Sequence, residues 1–253
     1  MVFAERHQRI LGLARAQGRV EVVSLSELLG ISVETVRRDL RRLEDHGVLR
    51  RTHGGAYPVE NAGFETILSA RSGPLEEAKT RIARAAVGCL SEESSIFLDE
   101  GFTFRLVAEA LPRDCGLTVL TASVPLAAAV ASRPDLTLIL LGGRVRSNTH
   151  AAVGSMTTGM LARYVIDLAF LGANGISLSH GLTTPDPAVA DVKAQAIRSA
   201  RRRILLGVHK SFGISSFCRF GELSDMETVV TDEGLPASQA RRYAERGPHV
   251  MRV

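Results

Sequence analysis

The sequence predicts a small winged helix-turn-helix domain followed by a larger α/β domain on a mainly parallel sheet. Three observations predict it. Residues 1–57 hold three short amphipathic helical runs and close on a basic hairpin around Gly54-Gly55. Residues 58–74 break every periodicity with Pro58, Gly63, Gly73 and Pro74, as a linker does. From 75 to 253 short apolar runs alternate with helical ones, the pattern of βαβ units around a parallel sheet.

In the first domain, the helix over 4–16 turns Ile10, Leu11, Leu13 and Ala14 to its apolar side and Arg6, Arg9 and Arg15 outward, and Gly18 ends it. Val20 and Val22 alternate with charged residues as a short strand. A second helix over 23–29 places Leu25, Leu28 and Leu29 inward, and Gly30 supplies the turn. Ser32 falls at the N-cap of the third helix, 33–46, where its hydroxyl accepts a free backbone N–H and Glu34 favours the first turn. Gly47 stops this helix.

At about 100° per residue, Val36, Leu40 and Leu43 of the third helix share one stripe and face the core. Arg38 and Arg41 project to the opposite side, with Thr35, Arg37 and Arg42 flanking them. Two helices joined by a glycine turn, the second loaded with arginine, is the layout that seats a recognition helix in the DNA major groove. Arginine there bonds bidentately to guanine or clamps a phosphate. The next segment, VLRRTHGGAYP, alternates apolar and basic residues and predicts a two-stranded wing that carries Arg50, Arg51 and His53 to the phosphate backbone. An arginine-rich face alone is more often a solvated surface. The ordered set of strand, short helix, capped arginine helix and basic hairpin is what points to double-stranded DNA.

Charge placement agrees. Residues 1–57 carry ten arginines, no lysine and seven acids, so +3 of the chain's net +4 lies there. Hydrophobic residues at 45% and charged residues at 23% fit an ordinary soluble globular protein. Cys89, Cys115 and Cys218 are odd in number and far apart, which fits neither a disulfide framework nor a zinc site. No leader-like stretch opens the chain, and no apolar run approaches the roughly 20 residues of a membrane span. The expectation is a cytoplasmic protein with no metal.

The run ISVETVRRDLRRLEDHGVLRRTHGGA, residues 31–56, resembles the signature of the DeoR family of bacterial regulators, roughly VS-x-x-TIRRDL-x-x-LE-x-x-G-x-L-x-R-x-HGGA. The resemblance implies a DNA-binding transcription regulator, with Ser32, Thr35, Arg37, Arg38, Arg41, Arg42, Arg50, Arg51 and His53 as DNA contacts.

After a helix over 75–90, the second domain offers strands at 95–98, 117–121, 137–141, 166–171, 203–206 and 228–230. Helices fall at 103–111, 125–132, 156–164, 187–200 and 236–245. Ligands of such sheets bind beyond the carboxyl ends of the strands. Polar and glycine-rich segments cluster there: DEGFT after the first strand, GGRVR after the third, GANGIS after the fourth, and HGLTTPDP before the helix carrying Lys193. A helix opening behind Gly101 offers backbone N–H groups to an anion. No P-loop and no GxGxxG fingerprint is present, so no nucleotide cofactor is expected.

These segments are similar to the DeoR-type effector domain, which shares its fold with ribose-5-phosphate isomerase. That likeness implies a sugar-phosphate pocket at Asp99, Gly101, Thr103, Thr121, Ser123, Gly142, Gly143, Arg144, Gly172, Asn174, Gly175 and Lys193. The chain departs from the family pattern at three places. DEGFTF stands for D-S-G-T-T-T, TAS for T-N-S, and GVHKSFG for A-D-H-S-K-F-G, so Phe102, Phe104, Ala122 and Val208 replace polar groups. These losses leave open a different effector, a repositioned one, or none. The functional expectation is a homo-oligomeric repressor of a carbohydrate-related operon, governed by a small phosphorylated metabolite. The rival class is a sugar-phosphate isomerase fused to a DNA-binding module, with Asp99, Asp186 and Lys193 in reach of the chemistry.

Overall fold

The computed structural model describes residues 3–17, 19–45, 49–52, 54–58, 74–147 and 149–253. The chain divides into two compact units, Met1–Thr66 and Ile67–Val253. The expected linker lies outside the described residues save for its two ends, as do the expected helix stops Gly18 and Gly47 and the expected last residue of the third helix, His46.

The first unit runs α1 (Phe3–Gln17), β1 (Val20–Glu21), α2 (Val22–Leu29), α3 (Val33–Asp45), β2 (Leu49–Thr52) and β3 (Gly55–Pro58). Strand β3 pairs antiparallel with β2 on one side and β1 on the other, so a third strand braces the two-stranded wing. Gly55 permits this closeness: a Cβ there would lie 2.3 Å from the Val20 carbonyl oxygen. Ile10, Leu11 and Ala14 of α1 pack with Val36, Leu40 and Leu43 of α3, the stripe the helical period predicts. Two details differ in α2. The helix begins at Val22, which is buried, and Leu28 is exposed rather than inward. Along an α-helix Val22, Leu25 and Leu29 fall close to one line, and Leu28 lies to its side.

The second unit contains α4 (Pro74–Val87), β4 (Ser95–Leu98), α5 (Phe102–Ala110), β5 (Thr118–Thr121), α6 (Val124–Val130) and β6 (Thr137–Leu140). It continues with β7 (Arg144–Val145), β8 (Ala152–Val153), α7 (Ser155–Leu161), β9 (Ile166–Gly172), β10 (Gly175–Ser177), β11 (Gly181–Thr184) and α8 (Pro187–Ser199). The last elements are β12 (Ala200–Leu206), β13 (Cys218–Gly221), β14 (Thr228–Thr231), α9 (Ala237–Ala244) and β15 (His249–Arg252). Seven strands make one sheet in the order β15-β14-β12-β9-β4-β5-β6, with every pair parallel.

Both faces of the sheet are covered, as a parallel sheet requires. Ile96 and Leu98 of β4 join one apolar cluster with Ile82 of α4, Val107 of α5 and Leu126 of α6. Phe97, pointing the other way, joins a second cluster with Leu161 of α7, Ala196 of α8 and Ala240 of α9. The chain adds β5 and β6 on one side of β4, then returns to lay β9 on the other. That reversal puts a topological switch point between β4 and β9, where open α/β sheets bind ligands.

The six long strands predicted from sequence all form, within a few residues of the expected ends. The short ones carry no such signal: the β7–β8 hairpin, the antiparallel sheet β10-β11-β13, and the edge strand β15. Gly175, Gly181 and Gly221, with Ser177 and Arg219, dilute the apolar alternation that marks a strand.

Candidate functional site

On the first unit, α3 is held by its cap and by a buried acid. Ser32 Oγ accepts from the Thr35 N–H at 3.2 Å and lies 2.9 Å from Thr35 Oγ1, so both polar residues are engaged at the helix start. Asp39, in the middle of VRRDLRR, is only 1% exposed. It takes Arg6 Nε at 2.6 Å and Arg6 Nη2 at 3.0 Å, and His7 Nε2 at 3.1 Å. Burial pushes its carboxyl up, but the hydrogen bonds and charges of Arg6 and His7 outweigh this and hold it below the usual carboxylate range.

With Val36, Asp39, Leu40 and Leu43 turned inward, Arg37, Arg38, Arg41 and Arg42 are exposed. Arg37 makes a loose pair with Glu34 at 3.8 Å. On the wing, Arg51 sits opposite Ala56 in the β2–β3 register. Its Nε reaches Glu44 Oε2 at 2.7 Å and its backbone N–H donates to Glu44 Oε1 at 3.0 Å, a brace the sequence did not suggest. Arg50 belongs to β2, while its side chain and His53 lie outside the described residues.

On the second unit, the carboxyl ends of β4 and β9 meet at Asp99. This buried acid accepts from the Glu100 N–H at 2.8 Å on Oδ1 and from the Gly172 N–H at 2.9 Å on Oδ2. Lys193 of α8, also buried, donates to Asp99 Oδ2 and, at 3.0 Å, to the Gly172 carbonyl. Asp99, Gly172 and Lys193 are therefore brought together as the sequence reading required. Their charges are spent on each other, and Lys193 is not a spare cation waiting for an anion. The acid and the cation considered for isomerisation chemistry neutralise one another.

The remaining predicted residues scatter around this centre. Gly101 precedes α5, and Thr103 is half-buried in its first turn. Thr121 Oγ1 accepts from the Ser123 N–H at 3.1 Å, and Ser123 Oγ caps α6 by accepting from the Leu126 N–H at 3.4 Å. Gly142 and Gly143 turn the chain after β6, with Thr157 Oγ1 donating to the Gly142 carbonyl at 2.8 Å. Asn174 Oδ1 accepts from Thr184 Oγ1 at 3.0 Å, and Gly175 opens β10.

Phe102 and Phe104, which stand where the family pattern has hydroxyls, are both buried. Phe104 packs in the cluster with Ile96 and Leu98, its ring so close to Gly172 that a Cβ there would lie 3.1 Å away. Phe102 is buried beneath the Lys79 ammonium and Arg105 guanidinium, 5.7 and 5.6 Å from its ring centre. Of the two arginines in GGRVR, Arg144 is exposed on β7 and Arg146 is buried. Arg146 reaches Glu100 Oε1 at 3.4 Å, Thr149 Oγ1 at 3.1 Å and Asp186 Oδ2 at 3.2 Å. Glu100, Arg146 and Thr149 join the site without a sequence signal of their own. At the GVHKSFG departure, Val208 packs against the apolar cluster and the polar contact comes from His209, whose Nδ1 lies 2.5 Å from Asp232 Oδ2.

A winged helix-turn-helix with an exposed arginine face, in one chain with an α/β unit whose polar site lies at the switch point of its sheet, defines a DNA-binding transcription regulator with a sensor domain. Residues 6–61 match the DeoR-like helix-turn-helix domain and residues 75–233 match the DeoR C terminal sensor domain. The chain belongs to the DeoR family. It is 36% identical to the HTH-type transcriptional regulator GlpR of Haloferax volcanii, over 99% of this chain and 98% of that one. It is 30% identical to the glycerol-3-phosphate regulon repressor of Escherichia coli K12, over 92% of each chain. A solved ribose 5-phosphate isomerase A from Methanocaldococcus jannaschii overlaps 54% of each chain at 17% identity and a TM-score of 0.38. The two relatives are named as regulators, not as enzymes. Among the described residues no helix is long and apolar enough to cross a membrane.

Proposed function

We propose that this chain is a cytoplasmic repressor of a carbohydrate-related operon, binding double-stranded operator DNA and releasing it when a small phosphorylated metabolite occupies the site between β4 and β9. Residues 1–57 serve as the DNA-binding domain, 58–74 as the linker and 75–253 as the sensing domain.

The observation that carries the reading is α3. One side of it is turned to the core and to Arg6, which puts Arg37, Arg38, Arg41 and Arg42 on the exposed outer side, where a nucleic acid can reach them. Reading a two-fold operator needs paired recognition helices, hence a homo-oligomer. The metabolite class is supported by the relative named for a glycerol-3-phosphate regulon and by the position of the polar site at the sheet's switch point. Regulation follows from differential affinity: metabolite and DNA favour different arrangements of the protein.

The test is an anisotropy titration of labelled duplex DNA from the chain's own control region, with and without a phosphosugar panel. Sequence-selective binding that one phosphosugar weakens supports the proposal. Binding indifferent to DNA sequence, or a selective complex untouched by every phosphosugar, defeats the corresponding half of it.

A further inference from the structure

The polar site holds two cations, Arg146 and Lys193, against three carboxylates, Asp99, Glu100 and Asp186. An anionic metabolite entering it finds no uncommitted positive charge among these residues, so one existing pair has to open. Lys193 is a poor candidate. It is buried, donates to both Asp99 and the Gly172 carbonyl, and lies 5.6 Å from the centre of the Phe220 ring.

Arg146 is held differently. Its guanidinium, 8% exposed, takes one oxygen from each of two carboxylates on separate elements, Glu100 after β4 and Asp186 at the start of α8. At 3.4 and 3.2 Å these contacts are longer than the roughly 2.7–2.9 Å of good charge-assisted hydrogen bonds, and neither is the bidentate fork that arginine makes best. Both acids are also compromised as partners. Asp186 has given Oδ1 to the Ala188 and Val189 N–H groups as the cap of α8. Glu100 Oε2 is enclosed and finds no hydrogen-bond partner among the described residues. Burial, with some help from Asp99, pushes the Glu100 carboxyl above the usual carboxylate range against the opposing charges of Lys193 and Arg146 and a hydrogen bond from Thr149.

We infer that Arg146 is the anion anchor of this site, and that Glu100 and Asp186 are built-in competitors which occupy it until a phosphate group takes the guanidinium bidentately. The inference rests on reading the site as the effector pocket. The exchange keeps a negative partner on the buried arginine and releases the two acids. It therefore unties the turn after β7 from both the β4 loop and the start of α8. A site built this way responds to the anion rather than merely holding it.

Asp186→Asn separates the two roles of that residue. Asparagine is as good an N-cap as aspartate, so α8 keeps its start, while the competing charge disappears. Isothermal titration of the full chain with inorganic phosphate and with ribose 5-phosphate reads the result, and thermal melting checks the fold. Asp186→Asn is expected to bind about tenfold tighter than the parent, the gain from removing one competing charge-assisted contact of about 1.4 kcal/mol. Arg146→Met is expected to lose binding, with Arg146→Lys between the two. Equal or weaker binding by Asp186→Asn, or parent-like binding by a folded Arg146→Met, overturns the anchor and leaves the effector pocket standing. Failure of both ligands to bind parent and Asp186→Asn alike removes the pocket itself, and the anchor with it.

Discussion

Arg6 of α1 grips Asp39 of α3 through both carboxylate oxygens, at 2.6 and 3.0 Å, across 33 residues of chain. The acid is one of the most deeply buried groups of the first unit, although it lies in a run of arginines. Its burial sets the rotation of α3. With Asp39 locked inward beside Val36 and Leu40, Arg38 and Arg41 are exposed.

Replacing Asp39 with Asn is expected to cost about 3 kcal/mol of stability at neutral pH, the loss typical when one partner of a buried pair is removed. The sign of the pH dependence follows from its depressed pKa. The contribution is fully present above the ordinary value of 3.8 and disappears as pH falls through the lower folded value. Thermal unfolding of parent and variant should differ at pH 7 and converge in strong acid. A gap that persists unchanged into acid would mean that the Asp39 charge does no stabilising.

Lys193→Met should destabilise the second unit by about 3–5 kcal/mol, because it strands Asp99 in a buried position without its cation. Adding Asp99→Asn should recover part of the loss. Denaturant unfolding of the full chain measures both. Parent-like stability of the single variant would show that Asp99 is held by the Glu100 and Gly172 N–H groups alone.

Phe104→Thr restores the residue type of the family pattern, yet it should not open a pocket. The ring is part of the apolar cluster under Leu98 and Phe170, so its loss should cost about 3–5 kcal/mol, as large-to-small core changes do. A variant that melts like the parent and gains phosphosugar binding would put the ring in the site after all.

The parts of the molecule legible in the sequence are those governed by local period. Val36, Leu40 and Leu43 recur at helical spacing, and β4, β5 and β9 carry the apolar runs 96–98, 119–120 and 168–171, so local pattern alone marks the core of each unit. Asp39 is not legible, since an acid among arginines reads as surface and its partners, Arg6 and His7, lie more than 30 residues earlier in the chain. The choice between Arg144 and Arg146 is undetermined for the same reason. Arg146 is buried by Glu100, 46 residues earlier, and by Asp186, 40 residues later, and nothing local to GGRVR records either partner. The family pattern marks Phe102 and Phe104 as lost hydroxyls. Where the rings go is a matter of packing against Gly172 and Lys79, which the sequence does not encode locally.

Arg38→Ala should weaken operator binding by about 1–3 kcal/mol and narrow the preference for the operator over unrelated DNA, while leaving melting unchanged. Leu40→Ala, on the buried side of the same helix, should do the reverse and cost about 2–5 kcal/mol of stability. Equal operator affinity for Arg38→Ala and parent would remove Arg38 from the reading face.

The wing offers a sharper test, because Arg51 already has a carboxylate on it. An exposed pair such as Arg51–Glu44 is worth only about 0–1 kcal/mol, little enough for a DNA phosphate to compete with. If Arg51 moves to phosphate on binding, Glu44→Gln removes its competitor and should raise affinity for any duplex. It should also steepen the fall of log K with log salt, by at most about 0.9 for the one contact made complete. Arg51→Gln should flatten the same slope by a similar amount. In the double variant Glu44→Gln should add nothing, since the charge it liberates is gone. Slopes that stay at the parent value in all three proteins would assign Arg51 to bracing the wing against α3 and leave phosphate contact to its neighbours.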